Sequence, residues 1–284
     1  MYNLIKSKDN AMKYIWITIV ACFMLQLLSC EKESAINPDY EKVVVQAYLY
    51  AGEPVNDIKI METIPMGSEA DTLPVINNAM VSLVKNNHTY DLVPSSGDSG
   101  YYHYPGTDLA VEEGDKFTIQ IDYFNKRTTG STTVPSQPSN VSQSNDTIFI
   151  PAKFNPWQFK FDTTKHQVKV KWTVESDAMY FIKVENVESD PDSVISRIPP
   201  KGLPGRMVSM PMNQDFYIIL FEDITHYGRH KVTLYRINQE YVDLYISRHQ
   251  NSRELNEPLT NIKDGLGVFS AFNSVELYFT ATAQ

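Results

Sequence analysis

From residue 43 onward, apolar and polar side chains change places one by one in run after run, and that period constrains this chain more than any other feature. Val43, Val45, Ala47 and Leu49 share one face of a first run. Val81 and Leu83 flank Ser82, and Phe117, Ile119, Ile121 and Tyr123 alternate with Thr118, Gln120 and Asp122. The cleanest run sets Val168, Val170, Trp172 and Val174 against Lys169, Lys171 and Thr173. Successive side chains of an extended strand point to opposite faces, so each run buries one face and wets the other. Turn chemistry separates the runs: Gly52-Glu53-Pro54, Asn86-Asn87, and the polar stretch Val111 to Asp115 around Gly114. Strands at this spacing, with reversals between them, predict packed β-sheets.

The pattern breaks at Val134-Pro135-Ser136-Gln137-Pro138-Ser139 and then restarts in β. A chain of 284 residues is long enough for two cores. The expected fold is mostly β: two β-sandwich domains of immunoglobulin or fibronectin type in tandem, residues 41–135 and 136–284. Phe216 to Phe221 is apolar at every position, which predicts a central strand. Tyr241, Leu244, Tyr245 and Arg248 instead recur at i, i+3, i+4 and i+7, which predicts one helix near residues 238–252, packed on the second domain. Val275, Leu277 and Phe279 predict a closing strand.

Ahead of the strands lies a segment of another kind. Residues 1–13 are polar and basic, and Tyr14 to Leu28 is apolar apart from Thr18 and Gln26. As a helix this stretch is about 22 Å long at about 1.5 Å per residue, short of a hydrocarbon core of about 30 Å, so it reads as a secretory signal. Leu27-Leu28-Ser29-Cys30 closes it and resembles the bacterial lipobox. The resemblance implies cleavage before Cys30 and acylation of Cys30, which holds the mature chain on a membrane through lipid. Residues 1–29 are then a signal peptide. Residues 30–40, with Glu31-Lys32-Glu33 and Pro38, form a solvated tether. An acidic, lysine-bearing tract behind the cysteine resembles the export signal of Bacteroidota surface lipoproteins, implying an outer-membrane position facing the exterior.

The only cysteines are Cys22 and Cys30, so no disulfide, thiolate ligand or thiol nucleophile can arise beyond residue 30. The formal charge of −9 opposes phosphate backbones and speaks against nucleic-acid partners. No G-x-S-x-G, HExxH or P-loop motif occurs, and Gly265-Leu266-Gly267 lacks the third glycine of a dinucleotide loop. The expectation is therefore no enzyme, no catalytic residue and no cofactor. His226 and His230 have the spacing that sets two imidazoles on one helix face, but Gly228 interrupts any helix. The pair reads as solvated loop histidines or, alternatively, as two ligands of a metal site. Tyr101, Tyr104 and Trp157 are candidates for ligand or partner contact, because exposed rings bring large area at low entropic cost. Tyr102 and Trp172 are expected in the core.

Glu257-Pro258-Leu259-Thr260-Asn261-Ile262-Lys263-Asp264-Gly265-Leu266-Gly267-Val268-Phe269 resembles the terminal signature of a Bacteroidota lipoprotein family catalogued as domain of unknown function 4249. Tyr48-Leu49 with Gly52 to Val55, Asn78 to Leu83, Val111 to Phe117 and Val134-Pro135 resemble its earlier strands and turns. The family is typically encoded beside TonB-dependent receptors. The resemblance implies a lipid-anchored accessory of a TonB-dependent outer-membrane transporter, binding substrate or docking on the receptor. A lipid-anchored hydrolase of glycans or peptides and a purely structural outer-membrane subunit are the alternatives.

Overall fold

The alternating runs are strands. The computed structural model describes residues 42–64, 72–151, 160–194, 205–248 and 259–284; Cys30, Trp157 and the Glu257-Pro258 pair lie outside the described residues. The first half contains β1 (Val43–Tyr50), β2 (Asp57–Glu62), β3 (Met80–Lys85), β4 (His88–Pro94), β5 (Tyr101–His103), β6 (Lys116–Tyr123) and β7 (Lys126–Thr133). Val43, Val45, Ala47 and Leu49 of β1 and Ile58 and Ile60 of β2 meet Val81 and Leu83 of β3 and Phe117, Ile119 and Ile121 of β6 in one core. Asn86 and Asn87 reverse the chain between β3 and β4 in two residues, both with positive φ (50° and 63°). That is the turn whose twist matches paired strands, and asparagine tolerates it.

The second half contains β8 (Ser139–Gln143), β9 (Thr147–Ile150), β10 (Gln167–Thr173), β11 (Met179–Asn186), β12 (Arg206–Val208), β13 (Phe216–Leu220) and β14 (Gly228–Ile237). It continues with helix α1 (Gln239–Arg248), β15 (Ile262–Lys263) and β16 (Leu266–Ala283). Val168, Val170 and Trp172 of β10 face Tyr180, Ile182 and Val184 of β11, Val232 and Leu234 of β14, and Phe279 of β16. Strand β13 is not central: among the described residues it forms the edge of a three-stranded sheet, paired with β10 alone. Ile219 fills the core from one side, while Lys169 lies over the Phe216 ring at 4.0 Å on the other. The ammonium of Lys169, on the strand already paired with β13, thus covers part of the outer apolar face.

Strand β16 joins the halves. Its first part, Leu266 to Phe272, runs parallel to β1; Phe272 to Ala281 pairs antiparallel with β14, and Thr280 to Ala283 runs beside β9. Thirteen strands of the described residues thereby form one open sheet, and residues 41–284 make one compact unit. Ile262, Phe269 and Ala271 belong to the core of the first half. A division at residue 135 would have placed them in the second.

Where β16 changes partners, Phe272 meets Phe181, Tyr235, Ile237 and Val242 in a third, mostly aromatic cluster. Tyr50 stacks on Phe272 with centroids 5.2 Å apart, and Tyr241 of α1 stands edge-on to it at 5.0 Å. Tyr241 also meets Tyr48 of β1 edge-on at 5.9 Å. The helix therefore sits over the seam between the halves and not on the second half alone. The quadrupoles of such offset and edge-on rings add to the gain from burial.

The C-terminal motif accounts for the attachment of β16 to the first half. The Asn261 side-chain amide donates to the Phe269 carbonyl (2.7 Å) and the Ser131 carbonyl (3.1 Å), and its oxygen accepts from the Phe269 N–H (3.0 Å). One side chain thus satisfies both backbone groups of Phe269, as a neighbouring strand would. Gly267 has φ +103°, and a Cβ there would lie 2.0 Å from the Val45 carbonyl oxygen. Only glycine permits that approach of two parallel strands.

Candidate functional site

Three places on this framework gather polar or aromatic side chains. The first holds the two histidines. Gly228 opens β14, so His230 falls in step with Val232 and Leu234 and turns inward; it is 3% exposed and stacks on Phe279 at 5.0 Å. It is therefore no solvated loop residue. Its Nδ1 lies 3.0 Å from the Gly228 carbonyl, a contact in which the ring N–H donates, and its Nε2 faces the Asn186 amide at 3.5 Å. Burial holds its pKa below the usual histidine value. His226 lies outside the strand, its Nδ1 at 2.8 Å from the Thr225 hydroxyl. Among the described residues no three histidine, cysteine or carboxylate side chains converge as metal ligands. The i, i+4 spacing serves two imidazoles on a helix; here His226 precedes β14 and only His230 takes its direction from the strand.

The second place lies on β4, which is paired on both sides by β3 and β5, and on the segment after β5. Tyr101 and Tyr104 do not form one platform. They lie three residues apart on an extended chain and so project to opposite faces. Tyr101 pairs with Lys59 of β2, whose ammonium lies 5.3 Å from the ring centroid. Tyr104 meets Tyr90 edge-on at 5.5 Å, and Tyr90 meets His88 at 4.5 Å. The Tyr104 hydroxyl donates to Asp108 at 2.6 Å; that carboxylate pushes the phenol up to about 12 and is itself held below its ordinary range. The result is a small, half-buried aromatic patch bearing a carboxylate, suited to non-covalent contact with a polar ligand or partner. Between the two, Tyr102 is core: its hydroxyl donates to the Ile76 carbonyl and accepts from the Ala79 N–H, both at 3.1 Å. Trp172 is core as well.

No sequence motif marks the third place. An open cleft of about 430 Å³ lies between the β6–β7 face and the start of α1, lined by Lys116, Thr118, Ser131, Thr133, Asn238 and Glu240 among others. Asn238 donates to the Thr133 carbonyl at 2.7 Å, and the Thr132 hydroxyl donates to Glu240 at 2.6 Å. Glu240 lies in the first helical turn, where the helix dipole favours a carboxylate. The cleft's volume falls within the range of small-molecule sites, but hydroxyl, amide and charged groups share its lining with Phe117, where such sites are predominantly apolar. Its β6–β7 side and its α1 side are more than 100 positions apart, so only folding assembles it.

No helix among the described residues is long and apolar enough to cross a membrane. The sequence model of a family described as "Domain of unknown function (DUF4249)" matches residues 31–277. No curated protein matches this chain significantly. Among solved structures, domains A168-A170 from titin align at 8% identity, covering 84% of this chain and 66% of that one, with a TM-score of 0.21. The chain thus spans slightly under two thirds of that structure's length, and at this score the likeness says nothing further about the fold.

Proposed function

The chain belongs to the DUF4249 family, and from that premise we propose that it is a lipid-anchored cell-surface accessory of a TonB-dependent outer-membrane transporter, binding substrate or docking on the receptor. The observation that carries this reading is the junction at Cys30. The lipobox-like residues end there, the family match begins at residue 31, and the first strand opens at Val43 after a short charged tether. Acyl chains on Cys30 at about 0.8 kcal/mol per buried CH₂ hold such a chain stably when two or more are present. The resemblance set out above supplies the transporter; the Tyr90–Tyr104 patch and the α1 cleft are the surfaces that suit recognition without chemistry.

The test is fractionation and co-purification from the native host. Cys30→Ser should move the protein from membrane to soluble fractions, and retention of the variant in the membrane would contradict lipid anchoring. The wild-type protein, extracted in mild detergent, should bring a barrel receptor with it; its recovery alone would contradict the transporter role. Replacing Glu31-Lys32-Glu33 with alanines should protect the protein from external protease in intact cells, and equal digestion of both forms would contradict surface display.

A further inference from the structure

The chain enters its first half beside an exposed apolar tip. Val43 pairs with Glu62 and Val44 with Leu266, so β1 begins where β2 ends and β16 starts. At the same end Lys263 pairs with Thr129, and the Thr128 hydroxyl donates to the Asp264 carbonyl at 3.0 Å. A few residues beyond Thr128, toward this end, lies the β6–β7 reversal at Phe124-Asn125. Phe124 is 69% exposed, and Met80, which pairs with Asp122 beside it, is 73% exposed. The stretch leading into β3 exposes Leu73 and Val75 as well.

Phe124 takes an unfavourable backbone for its type. Phe124 and Asn125 form a two-residue reversal with φ of 45° and 59°, nearly the values of Asn86 and Asn87 at the β3–β4 turn. That turn, at the opposite end of β3, carries the residue that suits the geometry at both positions. A bulky aromatic at positive φ is an outlier, and here its ring is mostly left in water, with Tyr123 beside it at 4.3 Å. Neither local conformation nor core packing accounts for a phenylalanine at this point.

The surrounding charge differs from that of the body. Exposed Lys42, Lys126 and Lys263 surround the tip, against Glu62 and Asp264, while Asp122 is held in a two-bond pair by Arg127 at 2.7 Å. This end is close to neutral on a protein of net charge −9. Twelve chain steps separate Lys42 from Cys30. Fully extended they reach at most about 40 Å, and as a flexible coil roughly 20 Å.

We propose that the Phe124–Met80 end of the first half rests on the lipid surface that holds the Cys30 anchor, with Phe124 entering the headgroup region. The inference rests on the lipid-anchored reading. A short tether brings this end back to the membrane, and an exposed aromatic with lysines around it is the side-chain set that partitions to that interface. The second half, attached at the far end of β1, is thereby directed away from the lipid.

The test uses the full acylated chain, reconstituted by its own lipid into vesicles of phosphatidylethanolamine with a minor share of phosphatidylglycerol. An environment-sensitive fluorophore is placed at Lys126→Cys, and separately at Glu112→Cys in the turn at the opposite end of β6. On floating vesicles the label at 126 should shift to the blue and be quenched by acyl-chain bromines, and the label at 112 should do neither. Phe124→Asn, which suits the turn and leaves the melting temperature equal or higher, should return the label at 126 to its value in water. A water-like label at 126 on protein that floats with the vesicles overturns the proposal and leaves the anchor standing. A label shielded in native membranes but not in vesicles overturns it in favour of a protein occupant. Failure to float refutes the anchor, and this inference with it.

Discussion

Asn261→Ala should loosen the C-terminal strand from the first half. The substitution removes the side-chain amide that pairs with both the N–H and the carbonyl of Phe269, whose residue is 0% exposed, and with the carbonyl of Ser131, which lies at the surface. A buried polar group left without a partner costs about 1–3 kcal/mol, whereas water replaces the lost bond at Ser131. Two orphaned groups, with some water entering the vacated space, come to about 2–4 kcal/mol. For a body of this size each kcal/mol moves the melting temperature by about 2–4 °C, so a fall of roughly 5–15 °C is expected. Asn261→Asp is the informative control. It matches the shape and still accepts from the Phe269 N–H, but sets a carboxylate against two carbonyl oxygens. At neutral pH it should be at least as destabilising as alanine. Urea unfolding followed by circular dichroism reads both variants against wild type. If alanine stays within about 0.5 kcal/mol of wild type, or aspartate behaves as asparagine, the side chain does not act as the missing strand.

Gly267→Ala should be worse than either, because the new Cβ would meet the Val45 carbonyl at 2.0 Å on a backbone of φ +103°; folded yield and protease resistance report it, and a normally folded alanine variant would contradict the close approach. Phe272→Ala removes the ring at the centre of the aromatic seam and should cost about 3–5 kcal/mol, with the two halves no longer melting together in calorimetry. Tyr102→Phe leaves the Ala79 N–H and the Ile76 carbonyl without their partner and should cost about 1–3 kcal/mol, seen as a lower urea midpoint at unchanged slope. His230 carries a lowered pKa, so above the ordinary histidine value near 6.5 it is neutral in both states and exerts no pH effect. As the pH falls through that value, the unfolded chain takes up a proton that the fold resists, and stability declines. His230→Gln should flatten the melting temperature between about pH 7 and pH 5; an unchanged slope would show that other groups dominate.

The residues that point inward were legible along the chain. Alternation named the buried faces at Val43 to Leu49, Phe117 to Ile121 and Val168 to Trp172, and turn chemistry marked the reversal at Asn86-Asn87. These are consequences of i, i+2 geometry and of backbone φ, which neighbouring residues set among themselves. The inward position of His230 was within reach of the same rule, since it keeps step with Val232 and Leu234 once Gly228 is taken as the start of a strand. The C-terminal motif was visible as a string of residues, but its work was not. Asn261 acts on Phe269 across a turn, and Gly267 yields to Val45 on a strand more than 200 residues earlier. Only the tertiary structure decided that Leu266 to Ala283 serves both halves, that β13 lies at an edge under Lys169, that α1 covers the seam, and that Tyr101 and Tyr104 face apart. Each depends on which strand lies beside which, and strand pairing is made by backbone groups that every residue carries. A pattern of side chains can say which face is buried, but the hydrogen bonds that choose a neighbour leave no mark on it.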